Sequence, residues 1–162
     1  MNQRDLFIRR CRGIAVLSAA LSTLMIGFWP PAVAQPTGAM TLTLHVTGAR
    51  NANGQIRAAL FQSAKGFPGD VSQAIQTKAA GIDPQTLSAQ IVFTGLHEGG
   101  YAVSVFHDEN RNHKLDKNFV GIPKEAYGAS NNPKRKMGPP DFEEAKFQLT
   151  SAAQSLEINL MY

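Results

Sequence analysis

The chain has 162 residues and a formal charge of +4, from 16 Lys and Arg against 12 Asp and Glu. Four arginines (Arg4, Arg9, Arg10, Arg12) and one acid, Asp5, fall in the first 34 residues. The remainder keeps 12 basic and 11 acidic residues, and an excess of +1 gives no support for a nucleic-acid partner or a generally anionic one. The only cysteine, Cys11, lies in the same stretch, which excludes a disulfide, a thiolate metal site and a cysteine nucleophile from residues 35–162.

Residues 1–34 read as a signal peptide. The arginines make a positive front, Ile14 to Phe28 is an uncharged and mostly apolar run, and Pro30 and Pro31 break any helix. Ala32-Val33-Ala34 then supplies a small-x-small cleavage signal. The apolar run is shorter than the roughly 20 residues that span a bilayer, so cleavage after Ala34 is expected, with no stable membrane insertion afterwards. The product is expected to be periplasmic or extracellular. Residues 35–162 are long enough for one domain that stands on its own core.

From Met40 onward the pattern is period-two runs cut by Gly, Asn, Asp and Pro. Met40, Leu42, Leu44 and Val46 alternate with Thr41, Thr43, His45 and Thr47, giving one apolar and one polar face. Asn51-Ala52-Asn53-Gly54 predicts a tight hairpin, because Asn-Gly supplies the positive φ such a turn needs. Ile56, Ala58 and Leu60 continue as a strand to Phe61. Ser63 to Asp70 is a loop with Phe67 tucked inward, and Val71 to Ala80 fits either a short strand or one helical turn. Leu87, Ala89, Ile91 and Phe93 alternate again, and Gly95 to Gly100 turns the chain. Tyr101, Val103 and Val105 then share one face while Ala102, Ser104 and Phe106 share the other. Phe142 to Lys146 allows one helical turn, Phe147 and Leu149 start a strand, and Leu156, Ile158, Leu160 and Tyr162 form the last one. The expected fold is all-β: an antiparallel β-sandwich, prealbumin-like or immunoglobulin-like, with six to eight strands and long loops.

The segment that points to chemistry is His107-Asp108-Glu109-Asn110-Arg111-Asn112-His113-Lys114-Leu115-Asp116. Counting from Asp108, oxygen-bearing side chains stand at positions 1, 3, 5 and 9 (Asp108, Asn110, Asn112, Asp116), with the backbone carbonyl of Lys114 at position 7. That is the spacing with which a tight loop converges six to eight oxygens on Ca²⁺. Two departures weaken the match. Position 6, which needs a left-handed φ and is normally Gly, is His113, and position 12, normally a bidentate Glu, is Phe119. Asn118 or Glu125 are the substitutes at hand, and with two carboxylates any site is weak. The competing reading is that the same side chains cap turns by bonding their own backbone.

These boxes carry a resemblance. Gly100 to Asn110, Lys114-Leu115-Asp116, Gly121 to Asn132 and Gly138 to Phe147 resemble a family of short secreted bacterial proteins known as a domain of unknown function. The likeness covers nearly all of residues 35–162. It implies an exported all-β domain and implies no reaction. His113 stands where that family tends to have Gly. A looser likeness, through Gly100 and Tyr101 and through Asp108 to Asp116, runs to prealbumin-like surface sandwich modules, which are binding or spacer units that often bear calcium.

The second box, Glu125, Tyr127, Ser130, Asn131 and Asn132, reads either as a recognition patch with His107 or as an ordered crossover whose amides satisfy backbone groups. Zinc finds little support, since His45, His97, His107 and His113 come without cysteine or a helical His pair. Ser130 lacks the glycines of a nucleophile elbow, and Lys134-Arg135-Lys136 reads as a solvated loop. The expectation is a non-enzymatic binding or accessory module facing an envelope or extracellular ligand. The alternative is a small secreted hydrolase or carbohydrate-active protein using His107, Glu125, Tyr127 and Ser130.

Overall fold

The alternation in the sequence becomes eight strands and one helical turn in the computed structural model, which describes residues 39–134 and 138–162. The leader reading of residues 1–34 and the residues Arg135 and Lys136 lie outside that range. β1 (Met40–Thr47) buries Leu42, Leu44 and Val46 and leaves its threonines half exposed. β2 (Gln55–Phe61), β3 (Gln76–Ala80), β4 (Ala89–Leu96) and β5 (Gly99–Asp108) follow. Then come β6 (Tyr127–Ala129), α1 (Phe142–Ala145), β7 (Phe147–Leu149) and β8 (Ala153–Asn159). The strands form two sheets, ordered β4-β1-β8 and β3-β2-β5-β6, with β7 also paired to β5.

The sheets pack face to face, as alternation demands. Leu42, Leu44, Val46, Ile91, Phe93 and Ile158 of one meet Ile56, Leu60, Tyr101, Val103 and Val105 of the other in one buried cluster. A smaller cluster covers the outer face of the second sheet, where Phe67 stands edge-on between Phe61 and Phe142, at ring separations of 5.4 and 5.8 Å. Phe67 is thus tucked inward as expected. β2 and β5 are consequently buried on both faces, and it is the far end of β5 that delivers His107 and Asp108.

The all-β sandwich expectation holds, with four local corrections. β1 and β8 run parallel, Val46 opposite Ile158, while every other described pair is antiparallel. The whole second sheet intervenes between them, and a parallel partner requires that kind of long return. The Asn51–Gly54 turn is no hairpin. β1 is already paired on both sides, so the chain crosses to the other sheet, and Gly54 (φ 71°) lies so close to the Asp108 carbonyl that no Cβ fits. Val71 to Ala80 is both of its alternatives, a 3₁₀ turn at Val71–Gln73 followed by β3. Tyr127–Ala129, read as loop, is a strand.

Candidate functional site

β5 ends by pointing its last two side chains in opposite directions. His107 is fully buried on the core face, its Nε2 2.7 Å from the Asn53 carbonyl. A carbonyl only accepts, so Nε2 carries the hydrogen, and Nδ1 is left buried without a hydrogen bond. Asp108 is also fully buried. Its Oδ2 accepts from Gln55 Nε2 at 3.2 Å and from the His113 N–H at 3.1 Å, while Oδ1 has no partner.

The following loop is built from two successive Asx turns. Asn110 Oδ1 accepts the Asn112 N–H at 2.9 Å, and Asn112 Oδ1 accepts the Lys114 N–H at 2.8 Å. Arg111 (φ 59°) and His113 (φ 68°) take the left-handed backbone between them. His113 therefore adopts the conformation that position 6 of a calcium loop requires, without being Gly. The two amides then turn their Nδ2 groups onto Asp116, 2.7 Å from Asn110 to Oδ2 and 2.9 Å from Asn112 to Oδ1.

Glu125 ties the loop shut. Buried between the two segments, its carboxylate accepts the Glu109 N–H through Oε1 and the Asp116 N–H through Oε2, both at 2.9 Å. Lys124 N–H adds a bond to the Asp116 carbonyl at 2.8 Å. Glu109 in turn pairs with Arg50 at 2.6 Å, and Arg50 lies over the Tyr162 ring. Burial holds the Tyr162 phenol above its ordinary value, against the N–H and charge of Arg50, which lower it.

Asn110, Asn112 and Asp116 are joined through their side chains, while Asp108 holds the loop through the His113 N–H. The features that suit a hard cation are the spacing of these side chains, one unsatisfied buried oxygen on Asp108 and the left-handed bend. Other features make such a site weak. Two amide N–H groups already occupy the oxygens of Asp116. Glu125 is used on both oxygens, and Asn118 Oδ1 accepts from Val120 and Ile122, so neither is free to act as the twelfth-position ligand. Among the described residues no three His, Cys, Asp or Glu are grouped to hold a metal.

In the hydrolase alternative Ser130 stands apart from His107. Ser130 Oγ is buried, donates to the Ala145 carbonyl and accepts the Val103 N–H. It therefore sits against Val103, four residues or about 13 Å along β5 from His107. Asn131 and Asn132 behave as backbone partners. Asn131 Nδ2 donates to the Glu144 and Lys146 carbonyls, and Asn132 bonds the Glu157 carbonyl and the Asn159 N–H. Tyr127, half-buried, exchanges backbone bonds with Met161. His45 sits half-exposed on the outer face of the first sheet, beside a cleft of about 410 Å³ that Asp83 and Glu157 also line. Gln55 and Asn53 escaped the sequence reading, because only the β2–β5 register, with Gln55 opposite Asp108, reveals them.

A two-sheet sandwich with an Asx-turn loop sealed by a buried glutamate is what the geometry defines. The chain belongs to the family described as an uncharacterized protein conserved in bacteria (DUF2141), whose family model matches residues 44–157, from within β1 to within β8. No curated protein and no solved structure matches it.

Proposed function

We propose that the protein is an exported, non-enzymatic binding or accessory module of the cell envelope, in which a weak Ca²⁺ site orders the loop from Asp108 to Asp116. Asp108, Asn110, Asn112 and Asp116 would hold the ion through side-chain oxygens and Lys114 through its carbonyl. The observation that carries this reading is Asp108 Oδ1, a fully buried carboxylate oxygen with no partner on the first residue of the loop. Leaving such a group unsatisfied costs about 1–3 kcal/mol, which an ion would remove. Support for a non-enzymatic role comes from the consumption of Ser130, Asn131, Asn132 and Glu125 in backbone hydrogen bonds. Export rests on the arginine-led apolar run and the Ala32-Val33-Ala34 signal.

Thermal melting in EDTA and then in excess Ca²⁺ tests the ion. At a hundredfold over its dissociation constant an ion bound only to the folded state adds roughly 2.7 kcal/mol, or on the order of 10 °C for a domain of this size. Coincident melting curves would remove calcium from the reading.

A further inference from the structure

The loop that leaves Asp116 holds three large apolar side chains in solvent. Phe119 is 100% exposed, Val120 60% and Ile122 57%. Single apolar residues on a surface need no explanation, but three on one turn do. The turn is closed by its own bonds. Lys117 and Pro123 form a β-bridge, and Asn118 N–H donates to the Ile122 carbonyl at 2.8 Å. The Gly121 N–H returns to the Asn118 carbonyl at 3.0 Å. Asn118 Oδ1 takes the N–H groups of Val120 at 3.1 Å and Ile122 at 2.9 Å. The base is fixed by Lys124 N–H on Asp116 and by Glu125.

Lys117 and Lys124 flank this tip, while the Arg111 guanidinium is turned back onto the Gly54 carbonyl at 3.3 Å. Arg111, Lys114, Lys117 and Lys124 are all exposed, and none has an ion-pair partner among the described residues. The one acid between Arg111 and Lys124 is Asp116, held by two amides. Asp108 and Glu125 at the base of the loop are buried and Glu109 is paired with Arg50, so the exposed charge beside the tip is that of the lysines.

We propose that the tip docks the protein on an anionic phospholipid surface, with Phe119, Val120 and Ile122 at the boundary of headgroups and acyl chains and the lysines on the phosphates. An apolar tip flanked by lysines matches a bilayer, which has negative charge outside and hydrocarbon beneath. Three of the four N–H groups from Phe119 to Ile122 favour lipid over a protein groove. Acyl chains offer no hydrogen bonds, and Val120, Gly121 and Ile122 bring their donors already paired, which leaves the Phe119 N–H to the headgroup boundary. The inference gives the exported module its partner and rests on that reading for its compartment, but it does not require the cation.

The test uses the product purified after export of the full chain, sedimented with vesicles of phosphatidylglycerol and phosphatidylethanolamine or of phosphatidylcholine alone. Binding is expected to the anionic vesicles and to weaken with salt. Phe119→Ser with Ile122→Ser should lower the partition on the order of tenfold or more while leaving the melting temperature in place. Lys117→Glu with Lys124→Glu should cost about fivefold for each lysine removed. The only tryptophan, Trp29, precedes Ala34, so Phe119→Trp supplies a single reporter whose emission should shift to the blue on anionic vesicles. No vesicle binding, equal partition of wild type and serine variant, or indifference to lipid charge would each overturn the proposal. Binding that persists in EDTA while Ca²⁺ leaves melting unchanged would sink the calcium site alone. A calcium shift without vesicle binding would sink this docking surface alone.

Discussion

Glu125 shows how one side chain can decide the state of a loop. Its two oxygens each receive a backbone N–H, one from Glu109 at the start of the loop and one from Asp116 at its end. A glutamine there keeps one oxygen and turns a donor toward the other N–H, so a buried donor meets a donor. Glu125→Gln should therefore destabilise the protein by about 2 kcal/mol, read as a lower urea midpoint at unchanged m-value. The chain segments from Asp108 to Asp116 should also lose amide protection before the sandwich does. A midpoint equal to wild type would mean that the carboxylate is not the clasp. Asp108 is a different case, because its unpartnered Oδ1 is a cost in the ion-free protein, and replacement by Asn keeps the bond from His113 N–H while removing buried charge.

At the scale of elements, Ser130-Asn131-Asn132 does the work of an extra strand. Asn132 bonds both the Glu157 carbonyl and the Asn159 N–H, so its amide covers part of the free edge of β8 as a peptide group would. Asn132→Ala should cost about 1 kcal/mol, since the site is exposed, and should raise the exchange rate of the Asn159 amide. Asn132→Asp should be worse, because it sets a carboxylate oxygen against the Glu157 carbonyl; an aspartate as stable as wild type would count against the pairing. The sequence contained half of this. β1, β4 and β5 were legible because one face meets the core and the other meets solvent or a thin cover, which prints as alternation. β6 was not, because Tyr127-Gly128-Ala129 is too short and too small to show a period. Gly128 is there for closeness: a Cβ would stand 3.0 Å from the Asn159 carbonyl and the Ile158 side chain. The Asx spacing was legible as a loop that turns on its own side chains, and the left-handed His113 was legible as a requirement. Gln55, Asn53 and the buried role of Glu125 were not, since each depends on which strand lies opposite. The apolar tip at Phe119 was hidden because a run of three apolar residues without period looks the same whether it faces core or solvent.

On the scale of the whole molecule, the first and last strands of the sandwich lie side by side in parallel. β8 completes the sheet of β4 and β1 and places Ile158, fully buried, between the sheets. The strand pair with the shortest connection is β2–β3, joined through Gln62 to Ile75; the others close long loops. Such non-local pairing makes folding slow, on the order of milliseconds to seconds, and makes the latest closure the one with the longest loop. β8 on β1 is that closure. Ile158→Ala should cost about 3 kcal/mol through the lost side chain and the cavity it leaves. If β8 docks after the transition state, nearly all of that loss should appear as faster unfolding, roughly a hundredfold, with the refolding limb of the chevron unmoved. Leu60→Ala, in the β2–β3 pair, provides the contrast, because a contact formed early should slow refolding instead. If Ile158→Ala slows refolding as much as Leu60→Ala, the two ends of the chain meet early and the sandwich closes from β8 rather than onto it.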